Sequence, residues 1–110
     1  MRVIERQMNA AITNRQDWAS ANTRVEYEEG NRISRVYLHG NKIAEVGDGF
    51  IRLFDGDHPT KTTKSRLNAI LQEHGEEGDC VFQKDWTWYV RMNTVRGLST
   101  VPFFSSMRLG

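Results

Sequence analysis

The sequence feature that most constrains the fold is a run of four short segments in which apolar and polar residues alternate. The segments cover residues 23–28, 33–38, 42–46 and 50–54. Alternation with a period of two is typical of strands that bury one face, because successive side chains point to opposite sides of a sheet. The breaks between the segments contain Gly, Asn and Asp, which tolerate the positive φ of tight hairpin turns. We therefore predict an antiparallel meander of four consecutive strands.

Helices are predicted on either side of this meander. A first apolar helical face is formed by Ile4, Met8, Ala11 and Ile12. It predicts a helix that ends near Trp18. A second such face follows Pro59 and is formed by Leu67, Ile70, Leu71 and His74. Gly75 then follows as a residue typical of a helix C-terminus.

The C-terminal third is rich in aromatic and β-branched residues. Residues 80–92 predict a long strand that bends at Lys84 and Asp85, and residues 99–104 predict a last strand, at an edge because of Pro102. The predicted fold is α+β: an antiparallel sheet of five to six strands, consisting of the four-strand meander and C-terminal strands, with two helices packed on one face. We expect residues 1–110 to form a single domain.

Composition excludes several classes of function. The chain has 15 basic and 14 acidic residues, so no strong net field attracts it to nucleic acid or to a membrane. Cys80 is the only cysteine, which excludes an internal disulfide and a cysteine-built zinc site. Arg2, Glu5 and Arg6 interrupt what a signal peptide would need as an apolar run. We expect a cytoplasmic protein without a membrane partner.

The start of the second helix carries an unusual group of basic residues. Lys61, Lys64 and Arg66 lie where the helix dipole favours negative charge, and Thr62 or Thr63 is expected to cap the helix. One interpretation is an anion site formed by Lys61, Thr63, Lys64 and Arg66, because free N–H groups, hydroxyls and cations together bind phosphate or carboxylate. The other is a capped helix whose basic side chains extend into water. The sequence leaves both open.

Two groups of aromatic residues invite a functional interpretation. Trp86 and Trp88 share strand parity with Phe82 and Val90, which predicts a core position rather than a base-stacking platform. A second group, Tyr37, Phe50 and Phe54, points away from the predicted core. That face would be a partner surface, a self-association surface in a homo-oligomer, or a face covered by the C-terminal segment.

Catalytic and metal-binding patterns are not evident in the sequence. His39, His58 and His74 are scattered without metal-ligand spacing, and the stretch around Asp55 and Asp57 is simplest as a turn. No nucleophile motif and no phosphate-binding glycine loop occurs. We predict no metal, no cofactor and no enzymatic activity.

Four stretches, WASANTRV, VYLHGNKIAEV, TKTTKSRLNAIL and VFQKDWTWYV, resemble a family of short, mostly uncharacterised proteins of tailed bacteriophages. The resemblance implies a small accessory protein that works in the cytoplasm of the infected bacterium. Its implied function is to bind and inhibit a bacterial host protein or an anti-phage defence component. The alternative function is a phosphate-recognising module that binds nucleic acid or a signalling nucleotide through the basic start of the second helix.

Overall fold

The structure is a computed structural model that describes residues 1–57 and 59–110, and His58 lies outside the described residues. Helix α1 spans Val3–Thr13 and helix α2 spans Lys61–His74. The strands are β1 Trp18–Ser20, β2 Thr23–Glu28, β3 Ile33–Leu38, β4 Asn41–Gly47, β5 Phe50–Leu53, β6 Cys80–Lys84, β7 Thr87–Thr94, β8 Gly97–Pro102 and β9 Met107–Leu109.

The large sheet is antiparallel, with the strand order β1-β2-β3-β4-β5-β9. The predicted meander is confirmed, and so is the α+β class with a C-terminal strand in the sheet. The turn between β3 and β4 shows why a glycine in the break between two strands predicted a hairpin. His39 and Gly40 both have positive φ, 52° and 79°, which is the geometry of a tight two-residue hairpin turn. The meander begins earlier than predicted, because β1 pairs with β2.

The first helix ends at Thr13, so the predicted end near Trp18 is wrong. Asn14 is the C-cap, and Arg15 then adopts a positive φ of 54°, which breaks the helical path. Trp18 starts β1 and pairs with Val25 of β2. The short connection therefore reverses the chain directly from helix to sheet.

The predicted long strand over residues 80–92 is instead a hairpin in a separate three-stranded sheet, with the order β6-β7-β8. Lys84 pairs with Thr87, and the two residues between them, Asp85 and Trp86, have φ values of 51° and 68°. Two consecutive positive φ values are the geometry of a tight two-residue hairpin turn. The chain therefore reverses where the sequence predicted only a bend.

Both helices contribute to one apolar core. Met8 of α1 and Leu67 of α2 are fully buried with inward-facing strand residues such as Val36 and Leu53. The small sheet adds Val81 and Val90 to the same cluster. Because both helices share this core with the inward-facing strand residues, the other side of the large sheet carries the outward-pointing side chains of the strands. We call that side the outer face.

Asn68 of α2 attaches the small sheet to the helix. Its Nδ2 donates to the carbonyl oxygen of Val81 at 2.9 Å, and its Oδ1 accepts from the Val81 N–H at 2.7 Å. The amide side chain thus replaces a neighbouring strand at the free edge of β6, so that the backbone groups of Val81 are satisfied. This contact fixes the position of the small sheet on α2.

Candidate functional site

Helix α2 begins at Lys61, slightly earlier than the predicted start, and Thr60 is its N-cap. The Thr60 hydroxyl accepts from the N–H of Thr63 at 3.2 Å, and the Thr63 hydroxyl accepts from the N–H of Thr60 at 3.1 Å. This reciprocal capping box buries Thr63 and satisfies two backbone donors. The predicted caps Thr62 and Thr63 are therefore replaced by Thr60.

Arg66 is not at the surface, so its predicted place in a solvent-facing anion site needs correction. The residue is 3% exposed, and its Nη1 lies 2.8 Å from Oε2 of Glu5 on α1. Its Nε donates to the Thr23 hydroxyl at 3.0 Å, and its Nη2 donates to Oδ1 of Asn22 at 3.3 Å. The anion that balances Arg66 is a side chain of the protein itself.

Glu5 completes this buried network from the side of α1. Its carboxylate also accepts from the Ser65 hydroxyl at 2.6 Å and from the backbone N–H of Arg2 at 3.2 Å. Burial raises the pKa of Glu5, but the hydrogen bonds from Ser65, Arg66 and the Arg2 backbone outweigh burial and hold the pKa below its ordinary value. Glu5 is therefore charged at neutral pH and forms a true ion pair with Arg66.

Two of the four predicted anion-site residues keep contact with water. Lys61 is exposed and Lys64 is half-buried, whereas Thr63 and Arg66 are buried. In residues 1–57 and 59–110, the structure shows no ion pair for either lysine. Anion binding by Lys61 and Lys64 stays a prediction. Arg66 is no longer part of the proposed site, because it is paired with Glu5.

The three aromatic residues predicted to face away from the core do lie on the outer face, and each ring is covered by a cation. The guanidinium or ammonium group lies 4.3–4.6 Å from the ring centroid in the pairs Arg24–Tyr37, Lys42–Phe54 and Arg108–Phe50. Such contacts are cation–π interactions, which orient both side chains. The C-terminal segment supplies one of the covering cations, Arg108 of β9, and the other two come from the meander.

A single carboxylate on the outer face contacts three cations. The side chain of Glu45 lies 3.0 Å from Lys42, 3.4 Å from Arg35 and 3.8 Å from Arg52. Arg35 is also paired with Glu28, at 3.3 Å. Arg35 thus has two acidic neighbours, whereas Lys42 and Arg52 share one glutamate with it.

Arg52 of β5 stands directly opposite Arg108 of β9 in the strand register. Directly opposed residues have Cβ atoms roughly 5 Å apart, and like charges at that spacing destabilise a sheet. Arg52 donates to the carbonyl oxygen of Ser106 at 3.0 Å, and Arg108 donates to the backbone oxygen of Gly110 at 3.3 Å. We call Lys42, Arg52 and Arg108 the basic corner. Among the described residues, Glu45 is the carboxylate within ion-pair distance of this corner, where it contacts Lys42 and Arg52, and Asp55 and Asp57 line a cavity together with Lys42.

The family model described as Kyanoviridae Gp96 protein matches the chain over residues 1–110. The chain belongs to this family. The Kyanoviridae Gp96 family is a family of phage (cyanophage) proteins, which confirms the resemblance to bacteriophage proteins. No curated protein and no solved structure matches the chain.

The small sheet exposes apolar residues that the sequence analysis missed. Trp86 is 93% exposed, so its predicted core position is wrong. The residue lies in the turn with Asp85, so the alternation of side chains along a strand does not apply to it. Trp88 packs against the core and makes an edge contact with Phe103 at a centroid distance of 5.8 Å. Further exposed apolar side chains near the ends of this sheet are Val95, Leu98 and Phe104.

The described part of the chain shows neither a metal-ligand cluster nor a membrane-spanning helix. No group of three His, Cys, Asp or Glu side chains is arranged to hold a metal ion in residues 1–57 and 59–110. No helix in those residues is long and apolar enough to cross a membrane. A cavity of about 110 Å³ separates the end of α2 from β9, and His74 lines it with an unpartnered Nε2.

Proposed function

We propose that this phage protein is a non-enzymatic accessory protein that binds a bacterial host protein or an anti-phage defence component in the host cytoplasm and inhibits it. The observation that carries the proposal is the outer face, where Tyr37, Phe50 and Phe54 alternate with cations on a sheet whose other side holds both helices. Aromatic residues and arginine are enriched in protein interfaces relative to the rest of protein surfaces.

The outer face is rigid enough to bind a partner with little loss of side-chain freedom. Each aromatic ring is already held by a cation, and Glu45 links cations from β3, β4 and β5. Side chains that keep one arrangement before binding lose less conformational entropy when the complex forms. A preorganised surface of this kind suits recognition of another folded protein.

Binding rather than catalysis is proposed because of how the charged groups on this face are used. Lys42, Arg35 and Arg52 are engaged with a carboxylate, and Arg24 and Arg108 with aromatic rings. These contacts fix the side chains as recognition groups. The alternative function, phosphate recognition at the start of α2, has less support, since Arg66 is bound to Glu5 and Thr63 to Thr60.

The proposal is tested by tagging the protein in phage-infected cyanobacteria, purifying it with its partners, and identifying them by mass spectrometry. A candidate partner is then purified and titrated in a calorimeter, and its own activity is measured with and without the phage protein. We expect stoichiometric, saturable binding and loss of the partner's activity. A partner whose activity is unchanged at saturation would contradict inhibition.

Matched variants localise the contact. Tyr37→Ser with Phe54→Ser alters the outer face, whereas Trp86→Ser removes an exposed side chain from the small sheet. Both proteins are first shown to be folded by thermal melting. We expect the outer-face variant to lose the partner and Trp86→Ser to retain it. The reverse result would place the interface on the small sheet and refute the proposed surface.

A further inference from the structure

In the part of the chain that the structure describes, Glu45 lies within ion-pair distance of Lys42 and Arg52 of the basic corner, and no carboxylate side chain lies within that distance of Arg108, which stands opposite Arg52. We propose that this corner binds carboxylate side chains of an acidic segment on the partner protein. The inference rests on the proposed function and deepens it, because it names the chemistry by which the outer face recognises its partner.

The opposed pair Arg52 and Arg108 is the centre of this site. In the free protein the two side chains turn to backbone oxygens, those of Ser106 and Gly110. A guanidinium has five N–H donors, so most donors of both arginines are not used by these contacts. A carboxylate between the two guanidinium groups would accept from both and would relieve their mutual repulsion.

Glu45 shows that the corner accepts a carboxylate. Its two oxygens are shared among Arg35, Lys42 and Arg52 at distances of 3.0–3.8 Å, and its side chain is 14% exposed. The cations around it are more exposed, with side-chain exposures of 26–35%. A carboxylate of the partner would meet the same cations from the solvent side.

Nucleic acid fits the outer face less well than an acidic protein segment. Base-stacking platforms present open aromatic faces, but Tyr37, Phe50 and Phe54 are each covered by a cation. Glu26 and Glu28 lie elsewhere on the face, paired with Arg24 and Arg35. They would repel a phosphate backbone that runs along the sheet. The opposed arginines Arg52 and Arg108 occupy one corner of the face, which suits a short acidic segment.

The experiment measures binding of fluorescein-labelled oligoglutamate to the full chain by fluorescence anisotropy. The variant is Arg52→Gln with Arg108→Gln. The control is Arg6→Gln with Arg96→Gln, which changes the net charge equally at two exposed arginines outside the corner. Oligothymidylate of equal charge is the competing probe. Thermal melts first establish that all three proteins are folded.

We expect the corner variant to bind oligoglutamate at least ~10-fold more weakly than the wild type, and the control variant to bind within about twofold. Raising the salt concentration from about 50 to about 300 mM should weaken wild-type binding, since exposed charges are screened. Equal binding by the three proteins would overturn the inference. Tighter binding of oligothymidylate than of oligoglutamate would also overturn it, in favour of nucleic acid.

Failure of this inference can be distinguished from failure of the proposed function. A protein that captures and inhibits a host partner but does not bind oligoglutamate refutes the acidic chemistry and leaves the proposed function intact. A protein whose corner binds oligoglutamate, but which inhibits no host component in infected cells, supports the corner as a carboxylate site and refutes inhibition.

Discussion

Replacing Arg66 with methionine should strongly destabilise the protein, because Glu5 would then be a buried carboxylate without its counter-charge. Glu5 and Arg66 are 2% and 3% exposed, and their charged atoms are 2.8 Å apart. With an effective dielectric constant of about 20, the gross attraction at this distance is on the order of 6 kcal/mol. The cost of removing both ions from water offsets most of it.

The single variant and the double variant should therefore differ sharply. Removing one member of a buried ion pair costs about 3–5 kcal/mol, whereas replacing both members by apolar residues is often neutral or stabilising. We expect Arg66→Met to lose about 3–5 kcal/mol of unfolding free energy. We expect Glu5→Leu with Arg66→Met to recover much of that loss. Full recovery is not expected, since Ser65, Thr23 and Asn22 would lose their partners.

Urea unfolding followed by tryptophan fluorescence measures these differences, and pH provides an independent check. The pKa of Glu5 is lowered in the folded protein, so its stabilising effect is present above the ordinary value of 4.5 and is lost as pH falls through the folded pKa. Protonation also removes the unpaired charge from Arg66→Met. The gap between wild type and variant should therefore narrow in acid. A gap that is small at neutral pH, or constant down to acid pH, would refute the ion pair.

Three other variants test separate parts of the structure. Leu67→Ala removes a side chain with 0% exposure and should cost about 2–5 kcal/mol by urea unfolding; a loss below about 1 kcal/mol would contradict its core position. Asn68→Ala should accelerate hydrogen exchange at the Val81 amide, and an unchanged rate would contradict the link between α2 and β6. Burial lowers the pKa of His74, so wild-type stability should fall as pH drops below the ordinary value of 6.5. His74→Gln should flatten that fall.

The large sheet could be predicted because its signals are local. Alternation with a period of two marks each strand of the meander, and turn residues such as Gly40 mark where each hairpin reverses. The apolar stripes of both helices are also local, because their members recur three or four positions apart along the chain. Strand β9 was less visible, since a three-residue strand gives too little alternation to recognise.

The small sheet was mispredicted because its first turn lacks the usual signal. A two-residue hairpin turn with positive φ favours Asn-Gly or Asp-Gly, whereas this turn consists of Asp85 and Trp86. Tryptophan has a Cβ atom that disfavours positive φ, so the sequence argues against a turn there. The pairing of β6 with β7 overrides that local preference.

The buried position of Arg66 depends on a residue 61 positions away along the chain, which no local pattern reveals. A weaker signal was present, however. Glu5 lies on the same helical face as Met8 and Ile12, and Arg66 lies one turn before Ile70. A charged residue on the apolar stripe of each of two helices indicates a buried ion pair between them.

The basic residues at the start of α2 are separated in the folded protein, whereas those of the basic corner are brought together. The difference follows from the geometry of helices and strands. Successive residues of a helix are rotated by about 100°, so Arg66 points away from Lys61 and Lys64, which lie three residues apart on one side of α2. Strand register has the reverse effect, because Lys42, Arg52 and Arg108 lie far apart in sequence and are brought to one face by the pairing of β4, β5 and β9. Folding thus separates Arg66 from the two lysines at the start of α2, whereas it brings the three residues of the basic corner together. A binding surface on a meander is therefore better sought among residues of equal strand parity than among neighbours in the chain.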